Sequence, residues 1–96
     1  MESDADRLES IKALGGQLLP SDLGEFWGVF DTEFQVVLGD GGIESLGPAI
    51  SSCRTSDVKL LQLKKDSLVV VDGVKYKVRR VEQTGVPGFS TLLLAQ

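Results

Sequence analysis

The sequence predicts a mainly β fold, a small antiparallel barrel or sandwich of about six to seven strands with one short N-terminal helix. Three observations carry this. Val74, Tyr76 and Val78 alternate with Lys75, Lys77 and Arg79, the period of a half-buried strand. Asp72-Gly73 separates two apolar runs, and Asp-Gly between strands signals a two-residue hairpin turn. Elsewhere, aromatic and β-branched stretches of strand length are separated by clusters of glycine, proline and short polar residues. Ninety-six residues make one domain, residues 1–96, with a modest core. It divides into a helical segment over 1–16 and a barrel-like body over 17–96.

Residues 3–6 read Ser-Asp-Ala-Asp, a hydroxyl three residues before a carboxylate, which outlines a capping box with Asp in place of Glu. Leu8, Ile11 and Leu14 then recur at three-residue spacing, an amphipathic helix that Gly15-Gly16 ends. A helix this short is marginal alone and needs a body to dock on. Residues 20–24, PSDLG, are turn chemistry. EFWGVFDTEFQVVL follows as strand, with Phe26, Gly28 and Phe30 on one face and Trp27 and Val29 on the other. Asp31-Thr32 is read as a bend before a second strand over 34–38. The stretch LGDGGIESLGPAI, residues 38–50, holds a mobile inter-strand loop over 39–48, with Ile43 and Leu46 exposed on it. Residues 49–54, AISSCR, form a weak strand.

In residues 55–67, Thr55 or Ser56 caps a single helical turn before Val58 and Leu61, and Lys64-Lys65-Asp66 is a polar turn. SLVVVDGVKYKVRRV is the hairpin, and Arg80 breaks its alternation in the manner of a β-bulge. Residues 82–88 are a loop, and 89–95, FSTLLLA, a closing strand.

The chemistry expected of this chain is non-catalytic. It has no histidine and a single cysteine, Cys53, so the commonest general base, the commonest metal ligand and an internal disulfide are all excluded. Residues 39–44, Gly-Asp-Gly-Gly-Ile-Glu, lack the lysine of a phosphate loop and the last glycine of a dinucleotide fingerprint, and Asp40 and Glu44 repel phosphate. The carboxylate pairs Asp4/Asp6 and Glu25/Asp31 are read as solvated, Cys53 as buried packing, and Trp27 as core. No cofactor, metal or catalytic residue is expected. The longest apolar runs are the four-residue stretches 68–71 and 92–95, and the acidic N-terminus lacks a signal-peptide pattern, so no membrane partner is expected. Net charge is −4, but residues 1–50 hold ten acidic and two basic side chains, and residues 51–96 hold eight basic and four acidic. Such an asymmetry suits contacts between neighbouring copies.

The segment GVFD (residues 28–31), the Gly-rich gap, and then CRTSDVKLLQLKKDSLVVVDGVKYKVRRVEQTGVPGFSTLLLA (residues 53–95) resemble the head–tail joining proteins of lambda-like bacteriophages. The order Arg54-Thr55-x-Asp57-Val58, Leu63-Lys64-Lys65-Asp66, an acidic-Gly turn, Tyr76-x-Val78-x-Arg80-Val81 and a final Leu-x-Leu strand carries the resemblance over residues 28–95. It implies a small β-barrel with an N-terminal segment that is flexible before assembly. It implies a structural role in the virion: closing the portal channel after DNA packaging and offering the tail its attachment surface. Portal or adaptor proteins and tail terminator or tail proteins are the implied partners. The free protein is then a monomer in the host cytoplasm, forms a ring on the particle, and touches DNA only incidentally in the channel. The family's long loop falls on Gly39, Asp40, Gly41, Gly42, Ile43, Glu44, Ser45 and Leu46, the candidate partner-binding residues. Lys75, Lys77 and Arg79 are a candidate ring- or DNA-facing basic face. The chain departs from the family in its well-formed helix over 4–14 and in ending at Gln96 without a tail. The alternatives are another phage neck or tail protein, terminator or tube-like, and a small ligand-binding or regulatory β-barrel outside any phage.

Overall fold

Closing an antiparallel sheet on itself removes its open edges, and the strands of this chain take that course. The computed structural model describes residues 3–84 and 86–96, and Met1, Glu2 and Gly85, assigned above to the N-terminal segment and the last loop, lie outside the described residues. The elements run α1 (Asp4–Ala13), β1 (Gln17–Ser21), β2 (Gly24–Val37), β3 (Ile43–Arg54), α2 (Thr55–Leu60), β4 (Leu68–Val71), β5 (Val74–Gln83) and β6 (Phe89–Ala95). The strands form a closed antiparallel barrel in the order β1-β2-β3-β6-β5-β4. Closure between β4 and β1 is thin. Ser21 pairs with Val69, and the Leu68 amide donates to Asp22 Oδ2 at 3.0 Å.

Alternation points Leu19, Phe26, Ile50, Cys53, Val69, Val71, Val78, Leu92 and Leu94 inward, and Leu63 joins them from the α2–β4 connection. Phe30, Val58, Leu61, Tyr76 and Val81 pack against this cluster, so the barrel interior is filled by side chains. Gly28 lies in the inward row because nothing larger fits, as a Cβ there would stand 2.6 Å from Ile50 Cγ2. Each fully buried Leu, Ile, Val or Phe contributes about 1.5–3 kcal/mol.

The expected hairpin is present. Val71 pairs with Val74, and both turn residues have positive φ, Asp72 at 50° and Gly73 at 81°. Register slips between Val78 and Arg80, so the bulge lies where the alternation breaks. The capping box is also present. Ser3 Oγ accepts from the Asp6 amide and Asp6 Oδ2 from the Ser3 amide, both at 3.2 Å.

Several local expectations need correction. Residues 17–21 are a strand, and Pro20 lies in it rather than in a turn. It is tolerated because β1 meets its second neighbour, β4, at one position only. The bend at Asp31-Thr32 is an irregularity within one continuous strand, where register moves from Asp31↔Ala49 to Phe34↔Gly47 and Asp31 Oδ1 accepts from the Glu33 amide at 3.0 Å. The mobile loop over 39–48 is far shorter. Residues 43–48 belong to β3, and the turn is a three-residue hairpin. The Gly41 amide donates to the Leu38 carbonyl at 3.0 Å, and the Leu38 amide to the Gly42 carbonyl at 2.8 Å. Gly41 takes φ +88°, the left-handed position this turn requires, and Asp40 Oδ1 accepts from the Gly42 amide at 2.9 Å. Gly47-Pro48 does not break the strand because register irregularities there absorb it. Finally, Arg54 rather than Thr55 or Ser56 is the N-cap of α2.

Candidate interaction surface

β1 pairs with β2 over Gly24–Gly28, and β6 pairs with β3 over Ala49–Arg54. Beyond those limits β2 and β3 pair only with each other, through Phe34↔Gly47, Gln35↔Ser45, Val36↔Glu44 and Val37↔Ile43. The two strands therefore leave the barrel as a two-stranded arm, and the candidate residues Gly39, Asp40, Gly41, Gly42, Ile43, Glu44, Ser45 and Leu46 form its turn and returning strand. Val37 is 78% exposed, Leu38 42% and Ile43 67%, a concentration of bare aliphatic surface at the tip. Asp40 is exposed in the turn, and Glu44, paired with Val36, is exposed on the opposite face of the arm. Leu46, expected to be exposed, is half-buried nearer the barrel, so it is no tip anchor.

The three basic candidates do not act as one row. Lys75 and Lys77 are exposed on the outer face of β5, beside Val70 and Leu68 of β4. Arg79 is the unpaired residue of the β5 bulge, and its guanidinium turns to backbone. Nε donates to the Leu94 carbonyl at 3.0 Å, and Nη2 to the Leu46 carbonyl. Arg79 thus ties the base of the arm to the barrel across β6. The structure joins the two candidate sites through Arg79 and Leu46, while Lys75 and Lys77 lie apart from the arm.

A polar cluster unforeseen as a unit docks α1. Arg54 Nε and Nη2 donate to Asp57 Oδ2 and Oδ1 at 3.0 and 3.2 Å, a bidentate pair with both partners largely buried. Arg54 Nη1 reaches Asp4 Oδ2 at 3.1 Å, and Ser56 Oγ donates to both Asp4 oxygens at 2.9 and 3.0 Å. Asp4, read as a solvated carboxylate, is therefore a docking residue. Its signal in the sequence is the three-residue spacing of Arg54 and Asp57. Ile11 is fully buried beneath the helix, whereas Leu14, at the C-cap, is exposed. The N-terminal segment that the resemblance implies to be flexible is thus a capped helix held on the barrel. Trp27 is half-buried rather than core, with Lys12 Nζ 4.9 Å from its ring centroid.

Cys53 is buried as expected, and its Sγ donates to the Ser90 carbonyl at 3.6 Å. Burial, and secondarily the Asp57 charge, pushes its thiol from the ordinary 9.0 up to about 12. It is a packing residue rather than a nucleophile. A groove of about 410 Å³ lies outside the barrel, lined by Ser10, Leu14, Ser52, Thr84, Val86 and Phe89. That lining supplies neither a carboxylate nor a base for proton transfer. Among the described residues no group of three or more His, Cys, Asp or Glu could hold a metal, and no helix is long and apolar enough to cross a membrane. No protein-family model matches the chain, and no curated protein matches it.

Proposed function

We propose that the chain is a structural assembly protein of a tailed phage or prophage, a head–tail connector that closes the portal channel after packaging and presents the surface on which the tail docks. The observation that carries this reading is the β2–β3 arm, a rigidly rooted hairpin with a bare aliphatic tip projecting from a filled barrel. A filled interior leaves a small ligand no cup. An arm of this kind has uses in contact between chains, because bare apolar surface gains free energy only when covered. The resemblance over residues 28–95 supplies the context: portal or adaptor proteins on one side, tail terminator or tail proteins on the other, and a location in the virion. Its mechanism is geometric, with no bond made or broken. The barrel is the spacer, the arm the contact, and Arg79 the strut that fixes the angle between them.

The test adds the purified protein to DNA-filled, tail-less heads and counts infectious particles after tails are supplied. Wild-type protein should raise the count. A variant in which residues 36–44 are replaced by Asn-Gly, which turns the chain between the paired Gln35 and Ser45, should fold and fail to raise it. No rise with wild type defeats the connector reading, and full activity of the short-arm variant removes the arm from it.

A further inference from the structure

Barrel closure pairs the strands on both sides, and the β2–β3 arm is where that pairing stops. β1 last pairs with β2 at Gly28, so from Val29 to Val37 β2 has β3 on one side and, among the described residues, no strand on the other. The turn fixes which backbone groups this edge presents. The Leu38 amide donates to the Gly42 carbonyl at 2.8 Å, so Leu38 aims its N–H at β3. Antiparallel pairs alternate between hydrogen-bonded and non-hydrogen-bonded. Counting back through Val37↔Ile43, Val36↔Glu44 and Gln35↔Ser45, Val36 bonds across to β3, whereas Val37 and Gln35 aim N–H and C=O away from it. The edge closes at Glu33, whose amide donates to Asp31 Oδ1 at 3.0 Å. Phe34–Val37 is thus left as a template for a further strand.

The arm around this edge is acidic. Asp31, Glu33, Asp40 and Glu44 lie on it, and no basic residue falls between Lys12 and Arg54. Among the described residues none of these four carboxylates makes an ion pair. Arg79 is engaged at the foot of the other strand, on the Leu46 carbonyl of β3. Two arms laid edge to edge would set like charges side by side, which guards the edge against its own kind. The basic strand of a copy, β5, is already engaged, by β4 over Val74–Lys77 and by β6 over Lys77–Gln83.

We infer that the open edge of β2 takes up an extended segment of another protein as a third strand of the arm, and that this segment alternates lysine or arginine with β-branched residues. The inference deepens the reading of the arm as the contact surface and rests on it, adding the mode of contact and the chemistry of the partner. Main-chain bonds to Gln35 and Val37 hold the segment. Its β-branched residues lie beside the half-buried Phe34 and Val36, and its cations lie on the Gln35 side, within the field of Glu33 two residues away. Few residues pair and the charges lie at the solvent, so the contact is weak and salt-sensitive.

The test titrates the blocked synthetic peptide Thr-Lys-Val-Lys-Val-Lys into the isotope-labelled full chain and follows the backbone amides by NMR. Shifts should centre on Phe34–Val37, and the Gln35 and Val37 amides should gain about tenfold or more protection from exchange. The peptide Thr-Glu-Val-Glu-Val-Glu should bind about tenfold or more weakly. Gln35→Pro deletes an outward N–H and spares the β2–β3 ladder, so it should fold and bind the lysine peptide about tenfold or more weakly. Glu33→Lys should weaken binding about threefold or more, and it carries the test if the proline variant does not fold. No shift at Phe34–Val37, shifts centred instead on Ile43–Ser45 of β3, equal binding of the acidic peptide, or undiminished binding by either folded variant would overturn the inference. So would shifts at Phe34–Val37 that grow with protein concentration in the absence of peptide, which makes the occupant a second copy. Tail joining is read separately. Peptide binding without a rise in infectious particles defeats the connector reading alone, and a rise without peptide binding defeats this inference alone.

Discussion

Arg54→Ala removes the group that links three elements, and its cost can be worked out contact by contact. Without the guanidinium, Asp57 loses two charge-assisted hydrogen bonds and is left as an unpaired carboxylate only 8% exposed. Breaking a fully buried pair by removing one partner costs about 3–5 kcal/mol. Here the side chains keep 17% and 11% of their exposure, so water relieves part of that and about 2–4 kcal/mol is expected. The bond to Asp4, itself 49% exposed, adds less than about 1 kcal/mol. Domains of this size are stable by only about 5–15 kcal/mol, so the loss is a large fraction of the total. At about 4–8 °C per kcal/mol, the melting temperature should fall by roughly 8–32 °C. Urea unfolding followed by the fluorescence of Trp27, the single tryptophan, measures this and also reports on the helix whose Lys12 covers the ring. Asp4→Ala separates the two roles. It should cost under about 1 kcal/mol while speeding amide exchange in α1. If Arg54→Ala costs no more than Asp4→Ala, Arg54 does not hold Asp57 and the argument fails.

Three further outcomes follow from single positions. Gly73→Val should cost about 1–2 kcal/mol through backbone strain alone, because a Cβ there meets nothing within 4 Å and φ is +81°. An unchanged melting temperature would contradict the turn. Gly28→Ala should cost about 1–3 kcal/mol by overpacking, since the new methyl stands 2.6 Å from Ile50 Cγ2, and an unchanged midpoint in chemical denaturation would contradict it. The Cys53 thiol, raised in the folded chain from 9.0 to about 12, makes the unfolded chain ionise first. Its contribution is fully present below pH 9, and stability should fall at up to about 1.4 kcal/mol per pH unit between pH 9 and 12. Denaturant titrations of wild type and Cys53→Ala across that range should converge as pH rises, and parallel curves would refute it.

Much of the barrel was legible because its signals are local. A capping box needs residues three apart, a type I′ turn needs two adjacent residues that accept positive φ, and a half-buried strand needs only its own alternation. Ser3 with Asp6, Asp72-Gly73, and Val74 to Val78 each state their structure within a few positions. The candidate site was legible in part. The arm lies where glycines cluster, but Gly47 and Pro48 read as loop when they are strand, because only pairing with Phe34 and the register irregularities beside it make those residues tolerable. The strand at Pro20 was hidden for the same reason, its acceptance depending on how little of β4 reaches β1.

Composition and order alone determined which side chains are on hand: no histidine, one cysteine, and acids and bases divided between the two halves of the chain. Those facts hold whatever the fold. The tertiary structure decided which residues meet. Arg79 reaches a carbonyl thirty-three residues away, Ser56 a carboxylate fifty-two away, and closure runs the acidic arm and the β4–β5 turn out of the same end of the barrel. Such partners are chosen by strand order and register, which arise from the packing of the whole core, and no neighbouring residue in the chain records them.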